Sequence, residues 1–135
     1  MVSATSPILL VEDDPSLRDS LGQFLHDHGY RTVVARTARE GREMLGTARP
    51  WLCLLDLNLP KKDGREVLAE IKADDELKRI PVVVLTTSRA EQDIVRSYNL
   101  HANCYITKPV DIEQFITIVK SIETFWFEVV VLAGE

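Results

Sequence analysis

The chain has 135 residues, 45% of them hydrophobic, which supplies one core and argues against disorder. With 16 basic and 21 acidic residues the net charge is −5, so overall electrostatics gives no support for nucleic-acid binding. No uncharged apolar run approaches the ~18 residues of a membrane span, and the opening MVSATSPILLVEDD has no basic n-region and only a short apolar run, so it is no signal peptide and the expected location is the cytoplasm.

ILLV (8–11) reads as a short buried strand. Leu17, Leu21, Phe24, Leu25 and His28 then recur at helical spacing, with Asp14 as N-cap, Pro15 in the first helical position and Gly29 as the stop. RTVVA (31–35) is a second strand. Thr37 and Glu40 form a capping box for a short helix that is expected to end near Gly46. WLCLLD (51–56) is a third strand, and Val67, Leu68 and Ile71 mark a helix beyond Gly64. PVVVLT (81–86) is a fourth strand, and Ser88 with Glu91 caps a helix carrying Ile94, Val95 and Tyr98. NCYIT (103–107) is a fifth strand, and Asp111 caps a final helix bearing Ile112, Phe115, Ile116, Val119 and Ile122. Five β-α units alternate, and the strands are apolar runs, as expected where helices cover both faces of a parallel sheet. The expected fold is therefore α/β, a doubly wound five-stranded parallel sheet with five helices. No linker leads to a second domain. The two cysteines, Cys53 and Cys104, have no metal-ligand spacing and read as buried free thiols.

In doubly wound sheets, sites form beyond the carboxyl ends of the strands. Glu12, Asp13 and Asp14 end the first strand, Asp56 the third, Thr86-Thr87-Ser88 the fourth and Thr107-Lys108-Pro109 the fifth. Asp14 reads as a helix cap, and any one of the others alone is ordinary turn chemistry. Convergence from four strand ends is harder to dismiss. Two carboxylates ~4 Å apart repel by about 4 kcal/mol at an effective dielectric near 20, so such a cluster calls for a cation or a proton. Oxygen donors without His or Cys point to a hard cation, magnesium first. His26, His28 and His101 lie away from the cluster. There is no phosphate loop, dinucleotide fingerprint or nucleophile elbow. Asn58 stands where a phosphohydrolase loop would carry a second aspartate. What remains is an aspartate nucleophile beside a metal, a hydroxyl and a lysine, suited to accept a phosphoryl group.

VEDD (11–14), LLDLNLPKKDG (54–64), VVVLTTS (82–88) and YITKP (105–109) resemble the receiver domain of two-component response regulators. The resemblance covers about residues 7–125 and implies one receiver domain over 1–135 without an output domain, in a flavodoxin-like arrangement with strand order 2-1-3-4-5. It implies Asp56 as phosphoacceptor. It also implies a Mg2+ site made by Asp13, Asp56, Glu12 through water and the backbone carbonyl of Asn58. Thr86 and Lys108 would bind the phosphoryl group, Tyr105 would switch with Thr86, Asn58 and Ser88 would tune hydrolysis, and the Lys108–Pro109 bond would be cis. DLNLPKKDGREVLAEIK, KRIPVVVLTTS, SYNLHANCYITKP and IETFWFEVV are similar to stand-alone regulators that partner phytochrome-type histidine kinases. Against the usual receiver pattern, His101-Ala102-Asn103 replaces a Gly-Ala pair and Val110 replaces Phe, both on the face where partners dock.

The implied function is transfer of a phosphoryl group from a kinase phosphohistidine to Asp56, which then changes protein contacts. The chain would catalyse only its own phosphorylation and dephosphorylation. The alternative is a receiver-like scaffold that is never phosphorylated. The segment 126–135 reads as an apolar extension of the last helix, and residues Phe125, Phe127, Val129, Val131 and Leu132 spread apolar character beyond the core stripe that ends in Trp126. The expectation is a homodimer involving Tyr98, Phe125, Trp126, Phe127 and Val130. No nucleic-acid or membrane partner is expected.

Overall fold

The computed structural model describes residues 6–57, 64–86, 102 and 104–125. The elements are β1 (Ile8–Val11), α1 (Pro15–Asp27), β2 (Thr32–Ala35), α2 (Ala38–Thr47), β3 (Leu52–Asp56), α3 (Gly64–Ala73), a 3-10 turn (Leu77–Arg79), β4 (Val82–Thr86), β5 (Cys104–Thr107) and α4 (Ile112–Thr124). All strand pairs are parallel, in the order β2-β1-β3-β4-β5. The expected doubly wound sheet is present. The expected helix after Ser88, between β4 and β5, lies outside the described residues.

Local chemistry sets the helix ends. The Asp14 carboxylate accepts from the Ser16 N–H at 3.0 Å, and Pro15 follows it in the first turn of α1. Gly29, at φ 86°, takes the left-handed position just beyond α1. Thr37 Oγ1 accepts from the Glu40 N–H at 3.2 Å, while the Glu40 carboxylate reaches back to the Arg36 N–H at 2.7 Å. Asp111 caps α4 through the Gln114 N–H at 3.2 Å. One stop signal misleads. α2 runs through Gly46 to Thr47, and the left-handed residue beyond it is Arg49, at φ 47°. A glycine on an exposed helix surface meets nothing that would end the helix, and none of the neighbouring atoms lies within 4 Å of the Cβ position of Gly46.

Alternation along the strands divides the core into two layers. Leu9, Val11, Cys53, Leu55, Val82 and Val84 face α2 and α3, meeting Leu45, Val67, Leu68 and Ile71. Ile8, Leu10, Leu52, Leu54, Val83 and Leu85 face α1 and α4, meeting Leu21, Leu25, Phe115 and Val119. Both layers exclude water, which is why the strands read as unbroken apolar runs. Gly41 lets α2 press onto β1, because a Cβ there would stand 2.9 Å from Val11 Cγ2. Phe115 is fully buried beneath α4. Phe115→Ala should therefore cost about 3–5 kcal/mol in urea denaturation. Val34→Thr, on the outer strand at 41% exposure, should stay within about 0.5 kcal/mol.

Candidate functional site

Parallel strands bring their carboxyl ends to one edge of the sheet. The winding direction reverses between β1 and β3, which opens a crevice there. The β1–β3 register runs from Ile8 opposite Leu52 to Val11 opposite Leu55. Continued by one residue, it sets Glu12 beside Asp56. Asp56 pairs with Leu85, and Thr86 pairs with Thr107, one residue before Lys108. The Lys108 N–H donates to the Thr86 carbonyl at 2.7 Å, so β4 and β5 stay joined to the rim of the site.

Glu12, Asp56 and Thr86 are fully buried, whereas Asp13 is exposed. One carboxylate oxygen from each of Glu12, Asp13 and Asp56 lies within 4.8 Å of the other two. Lys108 Nζ reaches Glu12 Oε1 at 2.9 Å and Asp56 Oδ2 at 3.2 Å. Fully ionised, three carboxylates against one ammonium would leave two negative charges to be balanced. Burial, helped by the adjacent Asp56 and opposed by Lys108, pushes the Glu12 carboxyl up to about 8. Burial also works against the Lys108 charge, but the Glu12 hydrogen bond and the Asp56 charge outweigh it and hold the ammonium above its usual range.

The donor set fits a hard divalent cation. Glu12 Oε2 is buried and has no hydrogen-bond partner. The donors are all oxygens, and exposed Asp13 opens the cluster to water, which a magnesium-type ion retains. The structure brings together Glu12, Asp13, Asp56, Thr86 and Lys108. Tyr105 is half-buried and pairs with Val84, so it shares a sheet face with Thr86 two residues on. The Lys108–Pro109 peptide is cis. Asn58, Ser88, Tyr98, Trp126, Phe127 and Val130 lie outside the described residues, and of the expected dimer residues only Phe125, 57% exposed, is seen. His26 and His28 are exposed at the end of α1, away from the acids. Cys53 is buried, its thiol pushed up to about 12 by burial, while Cys104 is only half-buried.

Two residues shape the site without standing out in sequence. Gly64, at the start of α3, donates to the Leu57 carbonyl at 3.0 Å. A Cβ on Gly64 would collide with the Asp56 carbonyl oxygen and stand 2.7 Å from Leu57 Cα. The Asp-Gly pair at 63–64 signals a turn, but not this approach to the Asp56 backbone. Arg18 Nη1 lies 3.3 Å from the Glu12 carbonyl and 3.4 Å from that of Asp13, fastening α1 to the acidic corner. No sequence signal marks Arg18 for that contact.

The arrangement defines a class, a flavodoxin-like α/β fold with a cation-ready acid cluster and a lysine at its switch point. Residues 8–120 match the response regulator receiver domain. Response regulator Rcp1 of Synechocystis sp. is 60% identical, with 93% of this chain and 91% of that protein covered. The manganese-bound form of response regulator Rcp1 superposes with a TM-score of 0.72 at 45% identity, over 93% of this chain and 96% of that one. The phosphorylated cyanobacterial phytochrome response regulator RcpA gives 0.71 at 48% identity, over 90% and 94%. The chain belongs to the response regulator receiver family.

Two outcomes follow from the geometry. Gly64→Ala should cost about 1–3 kcal/mol in denaturant and displace Asp56, visible as shifted Asp56 and Leu57 amide signals. In chelator, stability should fall as pH rises. The unfolded Glu12 carboxyl ionises near its ordinary 4.5, whereas the folded one holds its proton to about 8. Linkage alone would make the loss between these values about 5 kcal/mol, and solvent screening at the open side of the cluster brings it to the order of 1–2 kcal/mol. Asp56→Asn should flatten that decline, as read by thermal melts across the interval.

Proposed function

We propose that Asp56 accepts a phosphoryl group from a histidine kinase and that the chain signals through the resulting change in its contacts. The observation that carries this reading is the Asp56 carboxylate, fixed at the end of β3 with the Lys108 ammonium 3.2 Å away and Glu12 and Asp13 beside it. In the transfer, a carboxylate oxygen of Asp56 forms a bond to phosphorus as the bond from phosphorus to the donor imidazole breaks, and the imidazole leaves with the electron pair. Asp13, Asp56, Glu12 through water and the carbonyl of Asn58 would hold Mg2+, which when bound supplies positive charge to the phosphoryl oxygens. Lys108 neutralises a second oxygen and Thr86 donates its hydroxyl.

Acyl phosphate at Asp56 draws Thr86 inward, and Tyr105, on the same face, follows. Moving such an equilibrium from 1:99 to 99:1 takes about 5.5 kcal/mol. Hydrogen bonds to charged groups contribute about 1.5–3 kcal/mol each, so Lys108 and Thr86 together are of that size. Asn58 and Ser88 tune hydrolysis. The likeness to the phytochrome regulator RcpA supports a phytochrome-type kinase as donor, and the coverage of 91% of Rcp1 supports a chain working as one receiver domain through protein contacts. Incubation with acetyl phosphate and Mg2+ should add one phosphoryl group to the chain and none to Asp56→Asn. Equal labelling of that variant would sink the assignment and favour the scaffold reading.

Phe125, an exposed phenyl ring at the end of α4, supports a homodimer through this helix and the Tyr98 region. Light scattering should return twice the chain mass. A clean monomer at tens of micromolar would rule the dimer out.

A further inference from the structure

A second concave site lies at the opposite end of the sheet, where β4 begins rather than where it ends. It is a half-open cavity of about 300 Å³. Lys72 comes from the last turn of α3, Lys78 and Arg79 from the 3-10 turn, and Pro81 from the entry to β4, while Ile122 and Phe125 come from the end of α4. The length of β4, roughly 15 Å, separates it from Thr86 and the acid cluster.

We propose that this cavity binds a small phosphorylated molecule with a flat apolar part, of the chemistry of a mononucleotide. Three cations converge there in a chain of net charge −5, and among the described residues no carboxylate lines the cavity. Among the described residues neither Lys72 nor Arg79 has an acidic partner within 4.0 Å, while Lys78 has one exposed contact, to Asp75 at 3.1 Å. Lys72 is half-buried, and burial holds its ammonium below its usual range, a penalty that an anion beside it would relieve. Phe125 and Ile122 offer the other half of the complement. The phenyl ring is 57% exposed in the single chain and can take a planar base against its face, so a ligand here and a dimer contact through Phe125 compete for the same ring. The volume suits a ligand of that size and not a macromolecular segment.

A plainer role for Lys72 is to complement the carbonyl end of α3, and that role affects stability rather than ligand affinity. Calorimetric titration of the full chain at low salt, with AMP, adenosine and inorganic phosphate as probes, separates the two. AMP should bind about tenfold or more tighter than either fragment. Lys72→Gln/Arg79→Gln should weaken AMP about tenfold or more, and Phe125→Ala about fivefold, with labelling by acetyl phosphate intact in both. Asp56→Asn should bind AMP as the parent does. The proposal is overturned by no AMP binding at millimolar concentration, by phosphate or adenosine binding as well as AMP, by variants that shift Tm without changing affinity, or by loss of binding in Asp56→Asn.

Discussion

One half-buried ammonium holds the site together. Lys108 leaves β5, yet the carboxylates it serves belong to β1 and β3, on the far side of β4. Adjacent strands are about 4.8 Å apart, so the charge must cross roughly two strand spacings to reach Asp56. The four-carbon stem of lysine makes that crossing possible, and the strand it passes ends in a small residue, Thr86. Strand order, the length of β4 and the short side chain at its end are thus constraints set by one contact. A shift of one residue in the register of β5 would turn Lys108 to the other face and leave Glu12 and Asp56 without their counter-charge.

The surrounding core makes such an arrangement tolerable. Buried carboxylates are costly, and a single lysine does not balance three. The strands that carry the acids are buried throughout, with no exposed residue in β1 or β3, so the acids cannot separate without moving the sheet. Packing therefore maintains the electrostatic tension. A site kept short of positive charge by a rigid frame is preorganised for a cation, because the cation need not reorganise the protein around it. Burial first, and then the adjacent Asp56, push the Glu12 carboxyl up within that frame.

Much of this was legible in the residues because it follows from period and position. Apolar runs of four or five residues marked the strands, and Asp14, Thr37 and Asp111 marked helix starts through their side-chain oxygens. Asp56 and Lys108 stood out as charges at the ends of apolar runs. Gly46 was misread because a glycine at a helix surface and a glycine that ends a helix look alike in one dimension. Gly64 and Arg18 were missed for a related reason. Their roles depend on distances to backbone atoms of residues 12, 13, 56 and 57, and neither spacing nor residue type encodes those distances. The resting partner of Lys108 was likewise hidden, since sequence pairs it with Asp56 as readily as with Glu12, and only the fold shows Glu12 to be the nearer.

That last detail bears on the proposed switch. Lys108 has one charge and two claimants, so an added oxyanion at Asp56 competes directly with Glu12 for it. Were Lys108 to turn to a phosphoryl group on Asp56, Glu12, fully buried, would lose its nearest counter-charge and be left to a cation or a proton. Under that proposal cation affinity and phosphoryl occupancy would be linked through a single side chain, each strengthening the other by the same factor. Glutamate rather than aspartate at position 12 matters here. Its extra methylene carries the carboxylate from the end of β1 to Lys108, leaving Asp13, shorter and exposed, at the open side of the cluster.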